Sequence, residues 1–395
     1  MERISSLERK YVQNVLDNDF RSSSGAKYTK KLEDLFAKKI GVKNAISFTN
    51  GTATMHASLE AMGIGPGDEV IVPPLTMSAT TFAVLQANAT PIFADVDEDT
   101  FTISPKDVER KITTRTKAII PVSLYGLSSD IDALKNLCIK NKIYILEDNA
   151  EAFLAEYKGS YAGCLGDVGS FSFQSSKHLT SGEGGIITTN NEELALKIRR
   201  IQSLGYAGLT AGKSKIEKSE IQEPGYERHV CMGWNYRMSE LCASVAFAQT
   251  ERIDELVNAR VKVGYLFNDL ISEFEGILIP QKNPNGYKNT YWTWAAKLRD
   301  DIDWVNFRNI FKENGGDGIY SPWMLTYKEP MFRNKNLLGR EQFISDKYWE
   351  TNTLGCCPIA EKLETKIMQF KTNYWQEEKI QNQLIALKKT LKVFK

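Results

Sequence analysis

Short β-rich runs alternate with helical stretches between about residues 45 and 190, and this alternation limits the chain to few folds. The runs are 45–49, 69–73, 91–96, 117–122, 143–147, 170–173 and 185–189. Most of them are apolar nearly throughout, as strands are when both faces of a sheet are covered. Helical stretches are predicted over 52–62, 79–88 and 129–141. The pattern predicts an α/β fold with a mostly parallel seven-stranded sheet sandwiched by helices.

The chain after residue 190 follows a different pattern. Residues 207–230 are rich in glycine, lysine and glutamate without an apolar period, which predicts an exposed loop. Apolar residues at helical spacing from 237 to 275 predict one long amphipathic helix that links two domains. A chain of 395 residues has room for two or three domains. We predict a large domain over residues 1–255, with an N-terminal substrate segment, and a smaller α+β domain over residues 256–395.

Composition and charge argue against several classes of protein. Fifty basic and forty-nine acidic residues nearly cancel, so no strong field attracts nucleic acid or an anionic membrane. No run of about 18 apolar residues is available to span a membrane. The six cysteines lack C-x-x-C spacing and the three histidines lack the spacing of metal ligands, so no metal site is predicted. Scattered cysteines of this kind are typical of a reduced, cytoplasmic protein.

A single lysine, Lys177, follows the run 170–173 in a segment of small residues and precedes the glycine-rich stretch 182–185. Most lysines are charged surface residues, with a pKa of about 10.4. Here Phe171 and Phe173 are close in sequence, which favours a sequestered position. A lysine that spends time neutral in such a place can form a Schiff base with an aldehyde cofactor.

Asp148 ends the apolar run that begins at Ile143. In open α/β sheets ligands gather at the carboxyl ends of the strands, and a buried carboxylate there needs a partner. Opposite a pyridinium nitrogen, a carboxylate keeps the ring protonated. The alternative, a cap for a following helix, stays open. Glu151 is expected on the same helical face, either at the phenolic oxygen of the cofactor or towards solvent.

Residues 49–54 form a glycine-containing turn that opens a helix. Backbone N–H groups and the helix dipole at such a turn favour an anion, and the hydroxyls of Thr52 and Thr54 are candidate donors to a phosphate. The alternative is an ordinary helix cap at Asn50. Taken in order, this turn, Asp148, Ser172 and Lys177 predict pyridoxal phosphate chemistry.

From about Ser23 to the C-terminus, the chain resembles the DegT/DnrJ/EryC1/StrS family of sugar aminotransferases, within fold type I of the pyridoxal phosphate-dependent enzymes, the aspartate aminotransferase type. The segments that carry the resemblance are 50–53, 63–73, 147–152, 170–177, 182–185 and 233–238. The resemblance implies a large domain that binds pyridoxal 5′-phosphate and a homodimer with active sites shared across the interface.

The resemblance also implies a role for individual residues. Lys177 is expected to form the Schiff base and to move the proton, and Asp148 to partner the pyridine nitrogen. Asn235 is expected to reach the phosphate of the neighbouring subunit, and Glu151 matches a position, often glutamine, beside the O3′ oxygen. The residues expected around the phosphate are the turn residue Gly51 together with Thr52, Ala53 and Ser172.

The sequence departs from the resemblance at Met77, where relatives usually carry an aromatic residue that stacks on the cofactor ring. A thioether can still contact a ring face, for about 0.3–1.5 kcal/mol. Substrate specificity is expected to come from segments 22–28, 207–230 and 318–323. His56 and His178 are interpreted as structural, whereas for His229 both a substrate contact and a loop position stay open.

The leading hypothesis is an aminotransferase that moves an amino group from an amino acid, with L-glutamate the expected donor, to a keto sugar. The expected acceptor is a nucleotide-linked keto-deoxy sugar of surface polysaccharide or secondary-metabolite biosynthesis. Alternatives are a keto sugar without a nucleotide, a small phosphorylated ketone, dehydratase chemistry, and a non-catalytic sensor or regulator that retains the fold. The resemblance implies a histidine in place of Lys177 in dehydratases, so Lys177 argues against that chemistry. Lys177 and Asp148 together argue against a non-catalytic sensor or regulator.

Overall fold

A computed structural model describes residues 2–18, 20, 27–213, 216 and 218–395. Residues 22–26 of the predicted specificity segment, and residues 214, 215 and 217 of the predicted loop, lie outside the described residues.

The strands, in chain order, are β1 Asn44–Phe48, β2 Glu69–Val72, β3 Thr90–Phe93, β4 Thr116–Ile119, β5 Tyr144–Asp148, β6 Glu156–Tyr157, β7 Ser160–Tyr161, β8 Val168–Ser172, β9 Gly185–Thr189, β10 Leu278–Pro280, β11 Tyr287–Lys288, β12 Thr293–Leu298 and β13 Ile367–Lys371. The α-helices are α1 Ser6–Asp17, α2 Lys27–Ile40, α3 Gly51–Ala61, α4 Ala79–Gln86, α5 Pro105–Lys111, α6 Ile131–Asn141, α7 Glu192–Gln202, α8 Lys218–Gln222, α9 Glu240–Glu251, α10 Ile253–Ile271, α11 Trp304–Glu313, α12 Pro330–Arg333, α13 Asp346–Thr351, α14 Pro358–Glu364 and α15 Glu377–Val393.

Seven strands form the main sheet, in the order β1-β9-β8-β5-β4-β2-β3. Neighbouring strands are parallel except that β9 runs antiparallel to both β1 and β8. Each of the seven predicted runs overlaps one strand of this sheet, and the three predicted helices correspond to α3, α4 and α6. The predicted fold class is therefore confirmed.

Both faces of the main sheet are covered. Along β2, Val70 packs in one hydrophobic cluster and Ile71 in another, and along β9 the same is true of Ile187 and Ile186. Because successive side chains of a strand point to opposite faces, these pairs place separate cores on the two sides. The strands accordingly read as continuous apolar runs.

The prediction of one long helix over 237–275 is wrong. The structure has two helices, α9 and α10, separated at Arg252, whose guanidinium bonds the Glu8 carboxylate and the carbonyl oxygens of Glu2 and Arg3. Apolar residues continue on both sides of Arg252, so the sequence pattern alone does not reveal the break. In the predicted loop, residues 218–222 form the short helix α8.

The C-terminal part of the chain builds a second core around the antiparallel sheet β10-β12-β13. Helix α10 joins the two regions: Val257 packs with the main-sheet core, and Phe267 packs with Trp294 and Phe370 of the second core. The predicted domain boundary at residues 255/256 falls inside this helix and stays a prediction. No helix in the described ranges is long and apolar enough to cross a membrane.

Candidate active site

Lys177 lies in the turn that follows β8, at the carboxyl edge of the main sheet. Its Nζ atom is 3.1 Å from Oε1 of Glu151 and 4.4 Å from the ring centroid of Trp292. Only 12% of the side chain is exposed. The lysine is therefore withdrawn from solvent, between a carboxylate and an indole, as the phenylalanines in its sequence suggested.

Glu151 reaches Lys177 from a turn, because no helix follows β5. The prediction that Glu151 stands on a helical face is therefore wrong. Its Oε2 atom accepts the backbone N–H of Tyr125 at 3.1 Å. The backbone of Tyr125, which carries this N–H group, has a left-handed conformation with φ 59°. Burial raises the pKa of Glu151, and the charge of Lys177 opposes that rise.

Asp148 ends β5 and is buried, and none of its hydrogen-bond partners in the described ranges is a cation. Its Oδ2 atom accepts the hydroxyl of Thr80 at 2.8 Å, and its Oδ1 atom accepts the backbone N–H of Ala150 at 3.1 Å. Burial raises the pKa of this carboxyl, against the lowering effect of both hydrogen bonds and of Lys177. Since no helix follows, the alternative that Asp148 is a helix cap is excluded. A protonated pyridine nitrogen would give this carboxylate a positively charged partner.

The neighbouring Glu147 has a structural environment instead. Its carboxylate accepts the backbone N–H groups of Gly163, Leu165 and Gly166 at 2.6–2.9 Å. Successive residues of a strand face opposite sides, so Glu147 organises the loop before β8 while Asp148 faces the site.

The N-terminus of α3 lies beside these groups. Asn50 caps the helix through its side-chain oxygen, which accepts the N–H of Ala53 at 2.8 Å. The expectation that the Thr54 hydroxyl faces a phosphate is wrong, because this hydroxyl bonds the carbonyl oxygen of Gly51 and the hydroxyl of Ser170 in the core. Gly51 and Thr52 carry the remaining amides of the first turn.

Close backbone packing explains one glycine of the 182–185 stretch. A Cβ atom on Gly185 would lie 2.6 Å from the carbonyl carbon of Asn50. Only glycine lets β9 approach the turn this closely. The backbone of β9 therefore packs directly against the first residues of α3 and their cap.

A cavity of about 340 Å³ joins these elements. Seven of the predicted site residues line it, namely Gly51, Thr52, Met77, Asp148, Glu151, Ser172 and Lys177. Ala53 does not line the cavity, since its side chain is buried and its N–H serves the cap. Asn235 is exposed and lies outside the lining, and its backbone pairs with Ser203.

The lining fits pyridoxal phosphate. A sequestered amine and a buried carboxylate without a cation match the aldehyde and the ring nitrogen. The α3 turn with the hydroxyls of Thr52 and Ser172 forms a small-residue cradle at a helix N-terminus, which suits a phosphate. Met77 is 48% exposed at the cavity edge.

Several lining residues were not singled out as site residues from the sequence. Thr80 carries no signal, because a threonine in a helix is unremarkable. Glu183 belongs to the glycine-rich stretch, and its exposed carboxylate lines the cavity. Trp292 and Trp323 stack with ring centroids 5.8 Å apart and planes at 17°, and they form one wall of the cavity.

The histidines lie away from the cavity. His178 is buried, with Nε2 2.9 Å from the carbonyl oxygen of Thr290, and burial holds its pKa well below the usual value. His56 is also buried, 3.0 Å from the Tyr236 hydroxyl. His229 is exposed and stands 2.8 Å from the Leu204 carbonyl oxygen. None of the three lines the cavity in the part of the chain that the structure describes.

Comparison with known proteins identifies the family of the chain. A model of the DegT/DnrJ/EryC1/StrS aminotransferase family matches residues 2–368. GDP-perosamine synthase of Vibrio cholerae is 36% identical over 297 residues, which cover 75% of this chain and 76% of that protein. GDP-perosamine synthase of Caulobacter vibrioides is 38% identical over 301 residues, 76% of each chain.

The fold has a solved counterpart as well. The X-ray structure of an aminotransferase from Psychrobacter cryohalolentis superposes with a TM-score of 0.86 at 27% identity. The superposition covers 99% of this chain and 97% of that chain. It confirms the predicted fold type.

Proposed function

The chain belongs to the DegT/DnrJ/EryC1/StrS aminotransferase family and is a pyridoxal phosphate-dependent transaminase, and from this membership we propose that its acceptor is a keto sugar. The predicted family, enzyme class and cofactor are thereby confirmed. The relatives that are GDP-perosamine synthases support a sugar acceptor.

One observation carries the assignment of the reactive centre: the buried amine of Lys177 and the buried carboxylate of Asp148 line the same cavity. We propose that Lys177 holds the cofactor aldehyde covalently and that Asp148 holds the ring nitrogen protonated. Gly51, Thr52 and Ser172 would hold the phosphate, with Ala53 behind them in the same helix turn. When bound, pyridoxal phosphate draws electrons from the reacting carbon of the substrate.

The protein supplies the proton handling. Lys177 has to carry a proton between the substrate carbon and the cofactor, which requires its amine to be neutral for part of the cycle. Glu151 lies 3.1 Å away and accepts from Tyr125, so it holds a charged Lys177 in place between those events. Trp292 and Trp323 exclude water from one side of the amine.

The proposed assembly is a homodimer. Asn235 is exposed in a single chain, beside the exposed apolar side chains of Val230 and Met232. An uncovered apolar strip of this kind is typical of an interface. We propose that a second copy covers it and that Asn235 reaches the phosphate of that copy.

The proposed donor is L-glutamate and the proposed acceptor a nucleotide-linked keto-deoxy sugar. The first experiment is an absorbance spectrum of the purified protein with pyridoxal phosphate, before and after addition of glutamate or glutamine. The band of the covalently held cofactor is expected to convert to that of pyridoxamine phosphate with glutamate. Conversion only by glutamine would contradict the donor.

The acceptor is tested from the pyridoxamine form. A GDP-linked keto-deoxy hexose is expected to restore the original band and to yield an amino sugar by mass spectrometry. A matched keto sugar without the nucleotide serves as control. Equal rates with both would contradict the nucleotide, and no turnover with either would contradict the sugar acceptor.

A further inference from the structure

Arg260, in helix α10, is a buried arginine that bonds no carboxylate among the described residues. It is 2% exposed, and burial lowers its pKa to about 9. All its hydrogen bonds in the described part of the chain go to backbone carbonyl oxygens. Nη1 donates to Trp292 at 2.7 Å, and Nη2 donates to Ser176 and to Lys177, each at 3.0 Å. The Glu151 charge only partly offsets the burial of this cation, and no carboxylate of the described residues bonds it, so the arrangement calls for a reason beyond packing.

The same protein buries another arginine in the usual way. Arg199 is 1% exposed, and its two terminal nitrogens bond the two carboxylate oxygens of Glu33 at 2.7 and 2.9 Å. Such a bidentate pair neutralises the charge within the core. The two arginines therefore differ in their partners and not in their burial.

Two further side chains donate hydrogen bonds to the same carbonyl oxygens, those of Ser176 and Lys177. Arg3 donates to the carbonyl oxygen of Lys177 at 2.8 Å, across 174 residues of sequence. The Trp292 indole N–H donates to the carbonyl oxygen of Ser176 at 2.9 Å. Arg3 is itself tied to α9, because its carbonyl oxygen accepts the amide of Gln249 at 2.8 Å. Segments distant in sequence thus converge on the backbone of one turn.

We propose that Arg260 is a positioning residue for Lys177, fixing the carbonyl groups of Ser176 and Lys177 against Trp292 so that the amine points into the cavity. The inference rests on the proposed role of Lys177. A lysine on a turn has many conformations, and holding a reacting group in one geometry is a large part of catalysis. If a carboxylate held Arg260, the Lys177 amine could form an ion pair with that carboxylate as well. Because Arg260 bonds carbonyl oxygens, Glu151 is the carboxylate that bonds the Lys177 amine.

The test compares Arg260→Lys with Arg199→Lys, which make the same change in two equally buried arginines. Lysine keeps the charge but cannot reproduce the planar set of donors. The apoproteins are mixed with pyridoxal phosphate, and covalent capture is followed by absorbance and by borohydride reduction with mass spectrometry of the Lys177 peptide. We expect capture by Arg260→Lys to slow by about 10- to 100-fold per folded site. Arg199→Lys is expected to lose stability while capturing within about twofold of the wild type.

Capture by Arg260→Lys at the wild-type rate, or equal slowing by Arg199→Lys, would overturn the inference. If Arg260→Lys does not fold, Arg3→Ala removes one donor from the same Lys177 carbonyl oxygen and is expected to slow capture by about 3- to 10-fold. An unchanged rate in that variant would also overturn it. Lys177→Ala separates the two proposals: covalent capture in that variant would refute the role of Lys177 itself.

Discussion

Lys177 and Glu151 form an ion pair inside the protein, with Nζ 3.1 Å from Oε1 and with 12% and 5% of the two side chains exposed. The other carboxylate oxygen of Glu151 is held by the N–H of Tyr125. Loss of the amine therefore leaves a buried carboxylate with one hydrogen bond and no ion-pair partner among the described residues.

Lys177→Ala is expected to abolish transamination while leaving a folded protein. Loss of the proton carrier alone costs about 10²- to 10⁴-fold, and loss of covalent capture adds to it. The measurement is conversion of bound cofactor by glutamate in a stopped-flow spectrometer. Turnover close to wild type would contradict the assignment.

The same variant is expected to be less stable at neutral pH, by about 3 kcal/mol, because Glu151 loses its charge partner. The double variant Lys177→Ala, Glu151→Gln removes both charges and is expected to recover most of that loss without recovering activity. Urea unfolding of the apoproteins measures the difference. Equal stability of single and double variants would show that the ion pair contributes little.

Asp148→Asn is expected to lower turnover by about 10²- to 10³-fold, as removal of a preorganised electrostatic partner does elsewhere. The asparagine oxygen can still accept the Ala150 N–H, and its NH2 group can donate to the Thr80 hydroxyl, but the charge is lost. Thr80→Val is the control: it removes one hydrogen bond, keeps the carboxylate, and is expected to cost much less. If turnover falls by a similar factor in both variants, the loss comes from the hydrogen bond between Thr80 and Asp148 and not from the charge of Asp148.

The same aspartate is expected to reduce the stability of the apoprotein as pH rises. Burial raises its pKa in the folded state above the usual 3.8. The folded chain then binds more protons than the unfolded chain, so stability is lost as pH rises from about 4 through the folded-state pKa. Asp148→Asn is expected to unfold at higher urea than wild type at pH 7. This advantage should shrink towards pH 4, and a constant advantage would contradict the raised pKa.

Glu147→Gln is expected to lower the stability of the protein and to leave its activity unchanged, whereas Asp148→Asn is expected to raise stability and lower activity. The glutamine amide would face one of the three N–H donors of residues 163–166, leaving a buried donor unpaired at a cost of about 1–3 kcal/mol. The melting temperature should fall, while the rate of the donor half reaction per folded site stays near wild type. A large loss of that rate would mean that Glu147 acts on the site.

Met77→Phe is expected to tighten cofactor binding. An aromatic pair contributes about 0.5–1.5 kcal/mol beyond area burial, which corresponds to about two- to tenfold in affinity. Equilibrium dialysis of the apoprotein against pyridoxal phosphate measures it. Met324→Phe, a similarly exposed methionine outside the cavity lining, controls for added hydrophobicity. Weaker binding in Met77→Phe would show that the cavity is shaped around the thioether.

Local sequence predicted the elements that carry the site. The strand ending at Asp148 and the turn carrying Lys177 follow from apolar runs and small residues, because both depend on neighbours within a few positions. The geometry of Glu151 did not follow: it reaches Lys177 from a turn that β5 and Tyr125 shape together.

Contacts between distant segments had no local signal. Arg260 sits in an amphipathic helix, where an arginine is usually a solvated residue, and its contact with Lys177 forms only when α10 packs beneath the turn. Arg3 contacts the same carbonyl group from the N-terminus. Apolar residues continue from α9 into α10, and the Arg252 side chain at the break contacts Glu8, which is distant in sequence.

The antiparallel pairing of β1 with β9 has a consequence for synthesis of the chain on the ribosome. Asn44 pairs with Thr189, so β1 is translated long before β9, its neighbour in the main sheet. At about 5–20 residues per second, the delay is on the order of ten seconds. Gly185, which supports the start of α3, arrives with that same strand. A nascent chain that stops short of β9 therefore lacks both an edge of the sheet and the backing of its phosphate turn, so assembly of the cofactor site waits for the last strand of the sheet to be made.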